Sequence, residues 1–135
     1  MIQCTLFHEK LDNLSSKFKP GEPIAIVIAD AKKLEAAMKE TDAYYYNPAK
    51  VDRRAALLKK GQFEIPLVVP HEDRKMEWIE GFHQVNAALE AGYPRIPVST
   101  SIGLANLLRE QVGEDENGCP QDDFCFSNLN AILHA

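Results

Sequence analysis

The chain has 135 residues, with 15 Lys and Arg against 20 Asp and Glu, a formal net charge of −5. Apolar residues make up 45% and charged residues 26%, the usage of an ordinary globular domain, and seven Gly with eight Pro are too few for a fibrous or disordered chain. No apolar run reaches the roughly 18–20 residues of a membrane span, and Met1-Ile2-Gln3-Cys4 does not open an export leader, so the expectation is one cytoplasmic domain large enough to bury a core.

In chain order, Phe7, Leu11, Leu14 and Phe18 recur at helical spacing and predict an amphipathic helix over 5–18. Lys19-Pro20-Gly21-Glu22-Pro23 breaks it. Ile24 to Ala29 is a continuous apolar, β-branched run that suits a strand buried on both faces. Asp30 caps a helix from Ala31 to about Lys39. A loop follows with Tyr44, Tyr45 and Tyr46, which pack it onto its own domain or stack a ring. Val51 to Lys60 reads as a short helix ended by Gly61.

Ile65 to Pro70 and Met76 to Ile79 are two strands of a hairpin. Glu80-Gly81 opens a helix to about Ala91, with Phe82, Val85 and Leu89 toward the core. Arg95 to Val98 is a fourth strand, and Ser99, Thr100 or Ser101 caps a last helix to about Val112. The order predicts an α+β domain, a mixed sheet with flanking helices, over 1–112. Residues 113–135 read as an acidic extension, partly docked through Phe124, Phe126, Leu129, Ile132 and Leu133.

The charge is unevenly placed. All 15 basic residues and 15 of the 20 acidic ones lie in 1–112, so the whole −5 sits on Glu114, Asp115, Glu116, Asp122 and Asp123. Lys50, Arg53, Arg54, Lys59 and Lys60 face a single acid, Asp52, which makes a strip able to meet phosphate, or simply a solvated helix face. The acidic extension could fold over it. Cys4, Cys119 and Cys125 lack zinc spacing and are expected as reduced thiols, with no metal site.

The stretch that could carry chemistry is 76–98. A helix N-terminus offers unpaired N–H groups and a positive dipole end, hence an anion site. Gly81 would let a ligand approach the backbone. His83 lies about 100° round the helix from Phe82 and need not be buried. Glu80 is a candidate base or metal partner, and His83 a phosphate donor or acid/base. Their bland reading is a first-turn acid and a surface histidine.

The segment Leu57–Val98 resembles the ParB/sulfiredoxin superfamily. The resemblance rests on Gly61, Pro66-Leu67-Val68-Val69, Glu80-Gly81-Phe82-His83-Gln84, Ala87-Ala88, Gly92 and Ile96-Pro97-Val98, with 24–29 as the first strand. It implies a ParB/sulfiredoxin-like sheet with a nucleotide phosphate at the helix start 81–84. Gly81 and His83 match the phosphate-binding turn, and Glu80 stands where many members have Asp. The family's usual Arg falls on Gln84, which cannot form a charged fork to phosphate. Lys60, Arg53 or Arg54 would have to replace it. Phe82 stands where sulfiredoxin has its reactive Cys, which removes that chemistry. The 37 residues after Val98 leave no room for a helix-turn-helix domain, so sequence-specific DNA binding by this chain alone is not expected.

Three functions follow from the resemblance. One is nucleotide handling, either NTP hydrolysis or phosphoryl transfer, with Mg²⁺ on the nucleotide, through Glu80, Gly81, Phe82, His83, Gln84, Lys60, Arg53 and Arg54. A second is a non-catalytic module of phage or plasmid type that keeps the fold and binds a protein partner. A third is a nuclease holding Mg²⁺ on Glu80 and Glu64 or Glu77. The sequence leaves the oligomeric state open.

Overall fold

A computed structural model describes residues 1–114 and 123–134. It is an α+β fold with two sheets and, among the described residues, four α-helices. The expectations placed on Asp115, Glu116, Cys119 and Asp122 lie outside the described residues.

The larger sheet is built on β2 (Ile24–Asp30), whose apolar run is buried along nearly its whole length. It lies between β6 (Arg95–Ser101), antiparallel from Ile24↔Ser101 to Asp30↔Arg95, and β8 (Ala131–Leu133), which is parallel. β4 (Leu67–Val69) runs parallel to β6, and β5 (Glu77–Glu80) closes the far edge as the antiparallel hairpin partner of β4. The order is therefore β5-β4-β6-β2-β8. The smaller sheet, β3-β1-β7, is parallel throughout, from β1 (Ile2–Leu6), β3 (Gln62–Ile65) and β7 (Phe124–Cys125).

The expected strand over 65–70 is two strands, divided at Pro66. Proline has no N–H for a ladder, but its carbonyl accepts from both the Ser99 N–H (2.8 Å) and the Ser99 hydroxyl (2.7 Å). That residue hands the chain from one sheet to the other.

Helix α1 (Ala31–Glu40) starts as expected, with the Asp30 side chain accepting from the Lys33 N–H. Helix α2 (Pro48–Lys59) begins three residues earlier than predicted, capped by Asn47 with Pro48 in its first turn. Gly61, at φ +80°, ends it. Helix α3 spans Phe82–Glu90. The last helix, α4 (Ala105–Val112), is not capped by Ser99, Thr100 or Ser101. All three are buried in β6, and a 3₁₀ turn over Ile102–Leu104 intervenes.

The predicted helix over 5–18 is absent. Thr5 and Leu6 belong to β1, and turns follow: the Leu14 N–H donates to Leu11, Phe18 to Ser15 and Glu22 to Lys19. Successive tight turns advance three or four residues each, so they repeat apolar anchors at the spacing of a helix. Leu11 and Phe18 are indeed buried, but against Ile24, Leu67 and Val69. Asn13, at φ +67°, shows that the backbone leaves the helical region there.

The described residues of the expected C-terminal extension, 113–114 and 123–134, join both sheets. β7 pairs with β1, and β8 pairs with β2. Gly113 bridges to Ala29, and Arg95 pairs with Glu114 at 3.6 Å. Phe124 packs in the core between Phe63 and Tyr93. Ile132 and Leu133, expected to dock, stay about half exposed (50% and 51%). No helix of the described residues is long and apolar enough to cross a membrane.

Candidate functional site

The hairpin β4–β5 delivers the chain to the start of α3, and α2 packs alongside α3. Between them lies a cleft of about 260 Å³, whose lining includes Arg53, Arg54, Glu80, Gly81, Phe82 and His83. Six of the eight residues singled out from sequence therefore meet in one place. Lys60 and Gln84 do not. They line a neighbouring hollow of about 560 Å³, and Arg54 belongs to both.

The turn at Glu80-Gly81 is shaped by packing. Gly81 has φ +144°, and a Cβ there would overlap the Pro66 side chain. The glycine is thus required by its dihedral and by Pro66, whether or not a ligand also approaches it. Glu80 Oε1 accepts from the Gly81 N–H at 3.1 Å, which leaves its other oxygen for a ligand or cation. The N–H groups of Phe82, His83 and Gln84 are those an α-helix leaves without an internal acceptor.

His83 is not a surface histidine: only 5% of it is exposed. α3 lies between α2, the tyrosine loop and the sheet, so its first turn has no solvent side, and residues 82–88 are all buried. Tyr45 stands edge-on over the imidazole, with ring centroids 5.0 Å apart. Burial, with help from Lys50 and Arg54, pulls the His83 pKa below its usual value, against an opposing pull from Glu80. The imidazole is therefore neutral near pH 7 and able to accept a proton. Its Nε2 has no hydrogen-bond partner among the described residues, and neither has the Trp78 indole N–H on the same cleft.

Phe82 forms part of an aromatic wall with Tyr44 (5.3 Å), Trp78 (5.4 Å) and Tyr45 (6.0 Å). Tyr44 accepts from Asn86 at its hydroxyl, and Tyr46 donates to Glu90 at 2.7 Å, so the loop is fastened along α3. Lys50 donates to the Tyr45 hydroxyl at 2.9 Å.

Gln84 is 1% exposed, and its Nε2 donates to Glu64 Oε1 at 3.0 Å. It is an interior side chain fixed to a carboxylate, not a first contact for phosphate. Arg54 reaches the same oxygen at 3.4 Å. Sequence reasoning left Lys50, Tyr45 and Trp78 out of the site. Lys50 belongs to the basic strip and Tyr45 to the tyrosine triplet, so both carried a signal. Trp78 carried only its place two residues before Glu80.

The cleft thus offers three cations on one helix, a helix N-terminus, an aromatic wall and a neutral imidazole beside a carboxylate, a set suited to holding an anionic group attached to a ring. Glu77 lies apart, paired with His71 at 3.1 Å. Among the described residues no group of three or more His, Cys, Asp or Glu could hold a metal ion by protein ligands alone. Cys4 and Cys125 are free thiols. No family model, curated protein or solved structure matches this chain.

Proposed function

We propose that this chain is a nucleotide-binding domain of ParB/sulfiredoxin-like type, which takes the phosphates of a nucleotide at the start of α3 and acts on them. The observation that carries this reading is the convergence of Lys50, Arg53 and Arg54 with the first turn of α3 on one cleft. Phosphate favours a helix N-terminus, where unpaired N–H groups and the dipole act together. The cations of α2 supply the charge that Gln84 does not. The Tyr45, Trp78 and Phe82 wall excludes water on one side.

His83, neutral and with Nε2 unpartnered, is the acid/base candidate for hydrolysis or phosphoryl transfer. The free oxygen of Glu80 is the one carboxylate contact available to Mg²⁺ carried on the nucleotide, a cation that commonly binds through one or two carboxylates plus substrate phosphates.

The test is thermal unfolding of the chain with ATP, CTP, GTP and ADP, with and without Mg²⁺, followed by phosphate-release assays. Free ligand at about 100 times its Kd adds roughly 2.7 kcal/mol. That is on the order of 8–12 °C in Tm for a domain of this size. The shift should be lost in Arg53→Ala combined with Lys50→Ala, and turnover should be lost in His83→Ala. No shift with any nucleotide would overturn the reading.

A second reading has one observation in its favour. Ile132 and Leu133 are exposed on β8, at the edge of the larger sheet. A protein partner adding a strand to that edge would make the chain an interaction module.

A further inference from the structure

The hollow beside the cleft has apolar faces from Leu57 and Phe63 and polar ones from Gln3, Thr5 and Glu64. Arg54 lines it and the cleft alike. Glu64 is its one carboxylate. The oxygen Oε1 of Glu64 accepts from both Gln84 Nε2 (3.0 Å) and Arg54 (3.4 Å). A carboxylate only accepts, so this pairing fixes the Gln84 amide with its nitrogen toward Glu64. Gln84 is buried, which holds the carboxylate in place from behind. The other oxygen, Oε2, carries no hydrogen bond among the described residues, although the side chain keeps 26% of its surface open.

We infer that Glu64 Oε2 is the acceptor for the ribose hydroxyls of the bound nucleotide. This rests on the nucleotide reading above and adds a sugar specificity to it. Glu64 is one guanidinium away from the phosphate cleft, and in a nucleotide the sugar follows the phosphate directly. Ionised carboxylates suit vicinal hydroxyls because both hydroxyls can donate to them. Leu57 and Phe63 then face the ring beyond the sugar. The ligand is a ribonucleotide, with its phosphates on Lys50, Arg53 and Arg54 and its sugar on Glu64.

The experiment is calorimetric titration of the full chain with CTP and ATP, each against its 2′,3′-dideoxy counterpart, and with tripolyphosphate, which has no sugar. Wild type and Glu64→Gln are compared. The glutamine keeps an acceptor oxygen for Gln84 and Arg54, and an unchanged melting curve checks that the fold is retained. The wild type should prefer the ribose form by about tenfold or more, the effect of a hydrogen bond to a charged group. In Glu64→Gln that preference should collapse toward unity, with tripolyphosphate bound no more weakly than before. Tripolyphosphate binding with equal affinity for ribose and dideoxy forms overturns the sugar contact alone. A ribose preference that survives Glu64→Gln overturns it as well. Failure of tripolyphosphate and both nucleotides to bind overturns the nucleotide reading, and the sugar contact with it.

Discussion

Replacing Gly81 by alanine separates a packing role from a ligand-approach role at the turn before α3. Gly81 has φ +144°, a region that strains an L side chain by about 1–3 kcal/mol. The added Cβ would also overlap Pro66. Pro66 cannot retreat freely, because its carbonyl is held by two hydrogen bonds from Ser99. Forcing a methyl group into such a site costs about a further 1–3 kcal/mol. The sum is about 2–6 kcal/mol, and each kcal/mol moves Tm by about 3–5 °C in a domain of this size. Gly81→Ala should therefore melt about 6–30 °C below the parent by circular dichroism or calorimetry, with no ligand present. In a Pro66→Gly background only the dihedral part should remain, so the two substitutions should show clear coupling. An alanine variant that melts within about 3 °C of the parent would refute the packing account and return Gly81 to the role of admitting a ligand.

Burial and the neighbouring cations Lys50 and Arg54 hold the folded His83 pKa below 6.5, with Glu80 opposing them. The unfolded chain takes the proton first, so this contribution to stability is complete above about pH 6.5 and is lost as pH falls below it. Urea denaturation between pH 5 and 8 should show a shallower acid decline for His83→Gln than for wild type; parallel curves would sink the assignment. Arg53→Ala should weaken tripolyphosphate binding about tenfold, while Lys60→Ala, on the other hollow, should change it little. Equal losses measured by calorimetry would mean that the two hollows are not distinct in function. Phe124→Ala should destabilise the chain by about 3–5 kcal/mol, as for other buried aromatics. A loss under 1 kcal/mol in chemical denaturation would refute Phe124 as a core anchor of the C-terminal segment.

The sequence was most legible where chain-local physics decides the outcome. The apolar run 24–29 became an inner strand of the larger sheet, Asp30 became a helix cap, and the hairpin and the helix after Gly81 formed close to where expected. It misled where two structures share one spacing. Phe7, Leu11, Leu14 and Phe18 satisfy a helical period, yet the turns around them satisfy it equally. Ile2 and Cys4 alternate with Gln3 and Thr5, a strand pattern hidden beneath that stronger-looking signal. β7 and β8 have two and three residues, too few for any periodicity, and only their long-range partners define them. The burial of His83 was also out of reach, since it depends on α2 and Tyr45 reaching a helix from outside it.

Gln84 shows how a mismatch to the pattern of the superfamily the sequence resembles changes meaning once its surroundings are known. Read as a phosphate contact, it is a lost charge. In the fold it is almost wholly buried, donating to Glu64. An arginine at that depth would bring a desolvation cost that one carboxylate, already shared with Arg54, offsets poorly. The cations that can meet an anion stand instead on α2, at Lys50, Arg53 and Arg54, all three on the cleft, with Lys50 and Arg53 exposed and Arg54 half-buried. On the proposed reading, positive charge has moved from the first turn of α3 to the facing helix, and position 84 has become the support for Glu64. Such a transfer makes the phosphate site depend on how α2 docks against α3. A substitution at a buried position of α2, such as Val51→Ala, should then weaken anion binding without touching any ligand.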